Sequence, residues 1–305
     1  MITALIQMSL LIACGTLWKS YAPVHISSLA HRRALTDLVF YILLPALVLD
    51  VIWRAPLATS SLHISFIAIS GIITGLAFMW AILRLLKASK QQSGALLLAA
   101  AFPNATYLGL PVLDQVVGPH SRATVLQYDF FACTPVLLTF GILLAQYYGS
   151  NKAQFNPLRE IIKIPALWAV GLGITLNLTG VPRLEFIHTA LSLLAGGVVP
   201  LMLIVLGMSI RWQSLHLRYM RLLLPTVVIT LLLVPLSVFL MSQAVGLDRD
   251  LSVMVTLVGA MPTMVFGIVI CERYQLDSEL YAATVALTTI MSLLTLPLWF
   301  QWLSG

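Results

Sequence analysis

Two proline-interrupted apolar segments carry the polar residues that are best placed to bind a ligand. The first holds Pro103, Asn104 and Thr106, and the second holds Pro262 and Thr263. Proline removes a backbone donor and clashes with the preceding helical turn, so a helix that enters either segment must break and restart. In a lipid bilayer such a break is tolerated only where the freed backbone lines a cavity or a site.

The chemistry that these residues offer is the binding of an anion. Asn104 and Thr263 are favoured first residues of a helix, so each restarting half-helix is predicted to present free backbone donors and its positive dipole end. Two such ends that converge at low dielectric constant make an anion site without a fixed cation. No Lys or Arg falls in the middle of a predicted span, which favours a small carboxylate over a polyphosphate. Alternatively, Asn104, Thr106 and Thr263 only satisfy kinked helices.

Asp129 is a candidate of a second kind, because it is an acid about seven residues, or roughly 10 Å, into a predicted span. It follows Pro103 by 26 residues, and Thr288 follows Pro262 by 26 residues. Asp129 and Thr288 are therefore predicted counterparts in two halves of the chain, with Thr289 beside Thr288. An intramembrane acid indicates a proton- or sodium-coupling group. The alternative is an acid that reaches water through a local cavity near the interface.

Composition indicates that the elements holding these residues cross a membrane. Only 9% of the 305 residues are charged, 60% are hydrophobic, and the mean hydropathy is +0.97. Each candidate span is near the ~20 residues that cross the hydrocarbon layer. The ten predicted spans are 1–18, 34–53, 62–86, 93–117, 123–147, 161–178, 188–210, 219–244, 251–271 and 278–303.

The distribution of basic residues predicts the topology. Of the 17 Lys and Arg residues, 13 fall in alternate loops and 4 in the others, which places both termini outside the cytoplasm. Ten spans then divide into a first five-helix repeat at 1–147, a cytoplasmic linker at 148–160, and an inverted second repeat at 161–305. The predicted fold is thus an all-α polytopic membrane protein in which broken helices 4 and 9 cross near the bilayer midplane. Paired interruptions of this kind point to a transporter's binding site.

Cofactors and macromolecular partners leave little trace in the sequence. The six His and three Cys residues are scattered without ligand spacing, so no metal or cofactor is predicted beyond a coupling H⁺ or Na⁺. Lys and Arg occur singly or in pairs rather than as a basic stripe, which excludes a nucleic-acid partner. The expected partners are a small organic anion and the lipid bilayer.

The segment Asn104-Ala-Thr-Tyr-Leu-Gly-Leu-Pro111 resembles the signature of the auxin efflux carrier family. Three later segments resemble its final two spans: 261–263, 271–274 and 292–297. The resemblance implies a scaffold of spans 1, 2, 6 and 7, a transport unit of spans 3–5 and 8–10, an elevator motion, and a homodimer through the scaffold. It makes Asn104 the carboxylate-contacting amide and Pro103 and Pro262 the crossover prolines. Phe266 departs from the family pattern, in which an amide is common.

These observations together predict a secondary carrier of an organic carboxylate, either an auxin-like monoanion or a small dicarboxylate such as malonate or malate. The short linker favours a bacterial-type carrier in the inner membrane. A passive channel or membrane sensor for small anions is the alternative. An intramembrane enzyme would need paired catalytic groups, and Asp129 is the only deep acid.

Overall fold

The computed structural model describes residues 2–21, 27–55, 59–150, 162–209 and 219–305. Within these ranges the regular elements are all helices, which confirms the predicted class. In chain order they are α1 Ile2–Tyr21, α2 Ser28–Ile52, α3 Thr59–Leu85, α4 Lys90–Ala101, α5 Leu110–Val116, α6 Ser121–Tyr148, α7 Pro165–Leu178, α8 Glu185–Met208, α9 Met220–Val245, α10 Arg249–Gly259, α11 Gly267–Tyr274 and α12 Ser278–Ser304.

Six helices in the described part of the chain are long and apolar enough to cross a membrane, namely α2, α3, α6, α8, α9 and α12. The other four predicted spans correspond to α1, to the shorter apolar helix α7, and to the interrupted pairs α4/α5 and α10/α11. The chain is therefore an integral membrane protein. The ten-span inverted repeat remains a prediction, and residues 151–160 of the predicted linker lie outside the described residues.

Polar side chains fix where several helices begin. Ser89 and Gln92 form a capping box at the start of α4, each side chain bonding the other's backbone N–H. Asp248 accepts the N–H of Leu251 at the start of α10. Asp277 caps α12 in the same way. Each of these residues satisfies donors that have no partner within the helix.

The end of α2 and the residues after it are hydrogen-bonded to the end of α7, to the connection that follows α7, and to the start of α8. The Asn177 amide donates to the carbonyls of Ile52, Trp53 and Ala55 at 3.2, 2.9 and 3.0 Å. Nearby, the Asp50 carboxylate is paired with Arg183 and contacts His188 Nδ1 at 3.1 Å. The helix end therefore has its last carbonyls satisfied by a neighbouring helix.

Glycines bring α1 and α8 into backbone contact. A Cβ atom at Gly15 would lie 2.0 Å from the carbonyl oxygen of Ile204, and one at Gly207 would lie 2.0 Å from that of Ile12. Thr16 adds a hydrogen bond to the Gly207 carbonyl at 3.2 Å. Small residues allow this approach, on which van der Waals packing between membrane helices depends.

Several helices contain π-helical turns, in which one extra residue widens the helix. They lie at 39–43 in α2, at 129–133 and 137–141 in α6, and at 229–233 in α9. A further π-helical turn, Ala105–Gly109, leads into α5. Such turns are frequent at functional sites, and four of the five, all but 229–233, contribute residues to the cavity described below.

The glycine contact gives a stability prediction with an internal control. Gly207→Ala forces the α1 and α8 backbones apart and should destabilise the protein by about 1–3 kcal/mol. Gly171, in α7, has open space around it. Gly171→Ala should not lower stability, because alanine is the better helix former. Thermal unfolding of both variants in one detergent checks this, and equal losses would rule out the contact as the cause.

Candidate ligand-binding cavity

Two extended segments cross and bond each other where the helices stop. Helix α4 ends at Ala101 and α10 ends at Gly259. Beyond them, the Asn104 N–H donates to the Pro262 carbonyl at 2.7 Å, and the Met264 N–H donates to the Phe102 carbonyl at 3.2 Å. This antiparallel bridge satisfies backbone groups that the prolines have released from their helices.

Thr263 holds the second crossing segment to α12 and α4 through two hydrogen bonds. Its N–H donates to Thr288 Oγ1 at 3.2 Å, and its hydroxyl donates to the Ala99 carbonyl at 2.9 Å. Thr263 and Thr288 are both fully buried. The structure differs here from the predicted helix cap, since the helix after this crossing begins at Gly267. The Thr263 hydroxyl is turned back to α4 instead.

Asn104 differs from Thr263, whose side chain is hydrogen-bonded to the Ala99 carbonyl. Its carbonyl accepts the N–H groups of Leu108 and Gly109 at 3.2 and 3.0 Å, which starts the π-helical turn. The side chain makes no capping bond to this turn. Asn104 is 2% exposed, and its Nδ2 has no hydrogen-bond partner among the described residues. Leaving a buried donor unpaired costs about 1–3 kcal/mol.

Asp129 lies at the start of a π-helical turn in α6 and is held by two hydroxyls. Thr106 Oγ1 donates to one carboxylate oxygen, and Thr134 Oγ1 donates to the other at 2.9 Å. Thr106 belongs to the turn that follows Asn104. The carboxylate is thereby joined to the crossing through Thr106.

A cavity of about 390 Å³ brings part of the predicted site together. Its lining includes Pro103, Asn104, Thr106 and Asp129. The remaining predicted residues are not in its lining: Pro262, Thr263, Thr288 and Thr289. Each of these four is buried. The structure thus separates a cavity-facing set around the first crossing segment from a buried set around the second.

Several lining residues were not singled out from the sequence as ligand contacts. Lys163, just before α7, places an exposed cation on the cavity wall, where the sequence analysis predicted a site without one. Asp37 and Thr134 add polar groups, and Tyr107 and Phe266 add aromatic rings. In the sequence Lys163 is one of the 13 basic residues in alternate loops that predict the topology. Its contact with the cavity depends on how α7 packs, which no local pattern reveals.

The cavity combines donors with an apolar wall. Asn104 supplies an amide nitrogen that has no partner in the described part of the chain, and Lys163 supplies a positive charge, while Phe102, Phe130 and Leu137 supply hydrocarbon. Among the described residues, no group of three or more His, Cys, Asp or Glu side chains is arranged to hold a metal ion. The arrangement suits a small anion with an organic body.

Comparison with known proteins supplies a second kind of finding. Residues 1–300 match the family described as membrane transport protein. An uncharacterized transporter of Methanothermobacter thermautotrophicus is 30% identical over 271 residues, covering 87% of each chain. The uncharacterized transporter YfdV of Escherichia coli is 23% identical over 279 residues, covering 88% of this chain and 87% of its own.

From the hydrogen bonds of the buried set, we expect mutation of two adjacent threonines, Thr288 and Thr289, to affect stability differently. Thr288→Val leaves the Thr263 N–H buried without its acceptor and should cost about 1–3 kcal/mol of stability. Thr289 is also buried, but its hydroxyl has no partner among the described residues. Thr289→Val should therefore be neutral or stabilising. Thermal unfolding of the pair checks this, and a Thr289→Val loss as large as that of Thr288→Val would contradict the assignment.

Proposed function

We propose that this chain is a secondary carrier of a small organic carboxylate. The chain belongs to the membrane transport protein family, which is the family of auxin efflux carriers that its Asn104 motif resembles. The proposed substrates are an auxin-like monoanion or a small dicarboxylate such as malonate or malate. The names of the relatives support transport as the activity.

The observation that carries the substrate class is the unpartnered amide of Asn104. Its Nδ2 is buried beside a cavity and lacks an acceptor in the described protein. A carboxylate oxygen would supply that acceptor and remove the penalty of an unpaired donor. Lys163 adds attraction for a negative charge, and the aromatic residues contact the organic body. Phe266, which is 49% exposed, supports a ligand with apolar surface.

Coupling between substrate and cation follows because a bound carboxylate would be a second negative charge in the cavity that Asp129 lines. A bound carboxylate and an ionised Asp129 repel each other, and this repulsion is strong where water is excluded. A proton or Na⁺ on Asp129 removes the repulsion, so substrate and cation favour each other's binding. The Thr106 hydroxyl links Asp129 to the turn that begins at Asn104. We therefore assign Asp129 as the coupling group. Thr288 helps to hold the second crossing through the Thr263 N–H.

Contacts between helices support two inverted repeats, 1–147 and 161–305, joined by a linker at 148–160. Helix α1 packs on α8 as α7 packs on α2, and α3 packs on α4 as α9 packs on α10. The proposed inverted symmetry relates the first contact in each of these two comparisons to the second. Asp129 and Thr288 also obey it, since each bonds the crossing segment of its own half.

We propose an elevator motion in which spans 3–5 and 8–10 move against a scaffold of spans 1, 2, 6 and 7, with the scaffold forming a homodimer. Residues of both units line the cavity, for Asp37 and Lys163 belong to the scaffold and Asn104 to the moving unit. In the proposed topology Asp37 and Lys163 lie towards the cytoplasm. The cavity then belongs to the inward-facing state of a carrier in the bacterial inner membrane, with both termini periplasmic.

Asn104→Ala tests the carboxylate site. Affinity for the best ligand in a panel of malonate, malate and auxin should fall by about 1–3 kcal/mol, or roughly 5- to 150-fold, because one donor to a charged acceptor is lost. Thr256→Val is the control, because Thr256 is buried in α10 and does not line the cavity. Direct binding to the purified protein is the measurement. Unchanged affinity in Asn104→Ala would place the site elsewhere.

Asp129→Asn tests coupling in liposomes loaded with substrate. The amide keeps the shape of the carboxylate but cannot take up a proton or balance a cation. Exchange of substrate across the membrane should persist, while accumulation driven by a pH or sodium gradient should be lost. Loss under only one gradient identifies the ion. Full accumulation under both gradients would reduce Asp129 to a structural role, and flux without counter-substrate stimulation would indicate a channel.

A further inference from the structure

A second cavity of about 710 Å³ lies on the outer face of the helices, away from the crossing. Its walls are α3 and α6, and Leu97 of α4 lies between them. Every lining side chain is apolar or aromatic, and several are exposed: Ile73 60%, Phe140 50% and Tyr147 70%. We call this cavity the α3–α6 groove. It shares no lining residue with the candidate ligand-binding cavity of about 390 Å³.

Glycines in the walls and floor hold the groove in shape. A Cβ at Gly75 of α3 would lie 2.3 Å from the Ala100 carbonyl oxygen, so α3 touches the α4 backbone. A Cβ at Gly94 of α4 would lie 2.6 Å from Tyr148 Cβ, so the end of α6 also rests on α4. Both walls are therefore fixed against the floor. The groove is a built feature of the fold.

Positive charge is concentrated at one end of the groove. Arg84 lies over the ring of Trp80 at 4.2 Å, and Lys90 lies over the ring of Tyr147 at 5.1 Å. Both rings line the groove. Lys87 lies between the two cations in the chain, in the connection from α3 to α4. Within the described ranges none of these three side chains forms an ion pair with an acid.

We propose that the α3–α6 groove binds an anionic phospholipid. The acyl chains lie against the apolar walls, and the headgroup phosphate lies at the end marked by Arg84, Lys87 and Lys90. Stacking on Trp80 and Tyr147 holds two of these cations at the groove rather than free in water. Basic residues next to a cavity between membrane helices are typical of sites for anionic headgroups.

Charge complementarity favours a lipid over a second copy of the chain. The cations lie only at the end nearest the α3–α4 connection, which the basic-residue bias places at the cytoplasmic surface. A phospholipid has the same polarity, with one charged end and a long apolar remainder. Asp277, the acid whose N–H contacts the Gln91 carbonyl, is occupied as the cap of α12. Within the described residues it forms no ion pair with the three cations.

Native mass spectrometry of the full-length protein in detergent tests the proposal with phosphatidylglycerol and phosphatidylcholine of identical acyl chains. The wild-type protein should bind phosphatidylglycerol in preference. Arg84→Gln with Lys90→Gln should weaken that binding about 30-fold, equivalent to about 2 kcal/mol at 1.4 kcal/mol per tenfold. Ala77→Trp, which fills the groove from an exposed position, should remove the preference while leaving the cations in place.

Arg221→Gln is the matched control, because Arg221 is an exposed cation in α9 that the topology puts on the same side of the membrane. It should retain full binding. Glycerol phosphate without acyl chains should not compete, which separates a lipid site from a phosphate site. Equal binding of the two lipids, or an equal loss in Arg221→Gln, would overturn the proposal. Lipid-independent dimers that Ala77→Trp abolishes would assign the groove to a second copy instead.

Discussion

Backbone polar groups cannot be left unpaired in hydrocarbon. In this protein two prolines interrupt two helices at the same crossing, and both interruptions leave backbone groups that need partners. Neither Pro103 nor Pro262 can continue its helix, so each crossing segment carries released donors and acceptors. The segments satisfy one another through the bonds Asn104 to Pro262 and Met264 to Phe102. Each interruption is therefore stable only in the presence of the other. The position of the cavity, of Asn104 within it and of α5 and α11 beyond it depends on this mutual bridge.

The fold class was predictable because it depends on composition, which acts over the whole chain. A mean hydropathy of +0.97 and the spacing of basic residues indicate helices across a membrane whatever the tertiary packing. Helix boundaries were less predictable, since they are set by local partners. The span predicted at 161–178 begins as a helix at Pro165, and the second crossing resumes its helix at Gly267 instead of Thr263.

The candidate site was predictable where a residue's type conflicted with its apolar surroundings. Asn104, Thr106 and Asp129 stand out in this way, and all three line one cavity. Thr263 has the same kind of sequence context, yet its hydroxyl bonds the Ala99 carbonyl. Sequence spacing cannot tell which way a hydroxyl turns at a break. Lys163 was not recognised because a loop cation is ordinary in sequence and becomes a cavity residue only through packing.

The π-helical turn at 129–133 sets the helical phase of α6. In a straight α-helix, residues five apart are rotated by about 140° around the axis, because each residue adds about 100°. Thr134 follows Asp129 by five residues, so its hydroxyl reaches the carboxylate only because the extra residue of the π-helical turn brings the two onto one side. Removing one residue here would leave a helix still able to cross the bilayer. It would also leave Asp129 and Thr134 four residues apart in an ordinary α-helix, about 40° apart around the axis, so the two would still face the same side. The π-helical turn is therefore a one-residue insertion that keeps Asp129 and Thr134 in phase, as a straight α-helix of the same length would not.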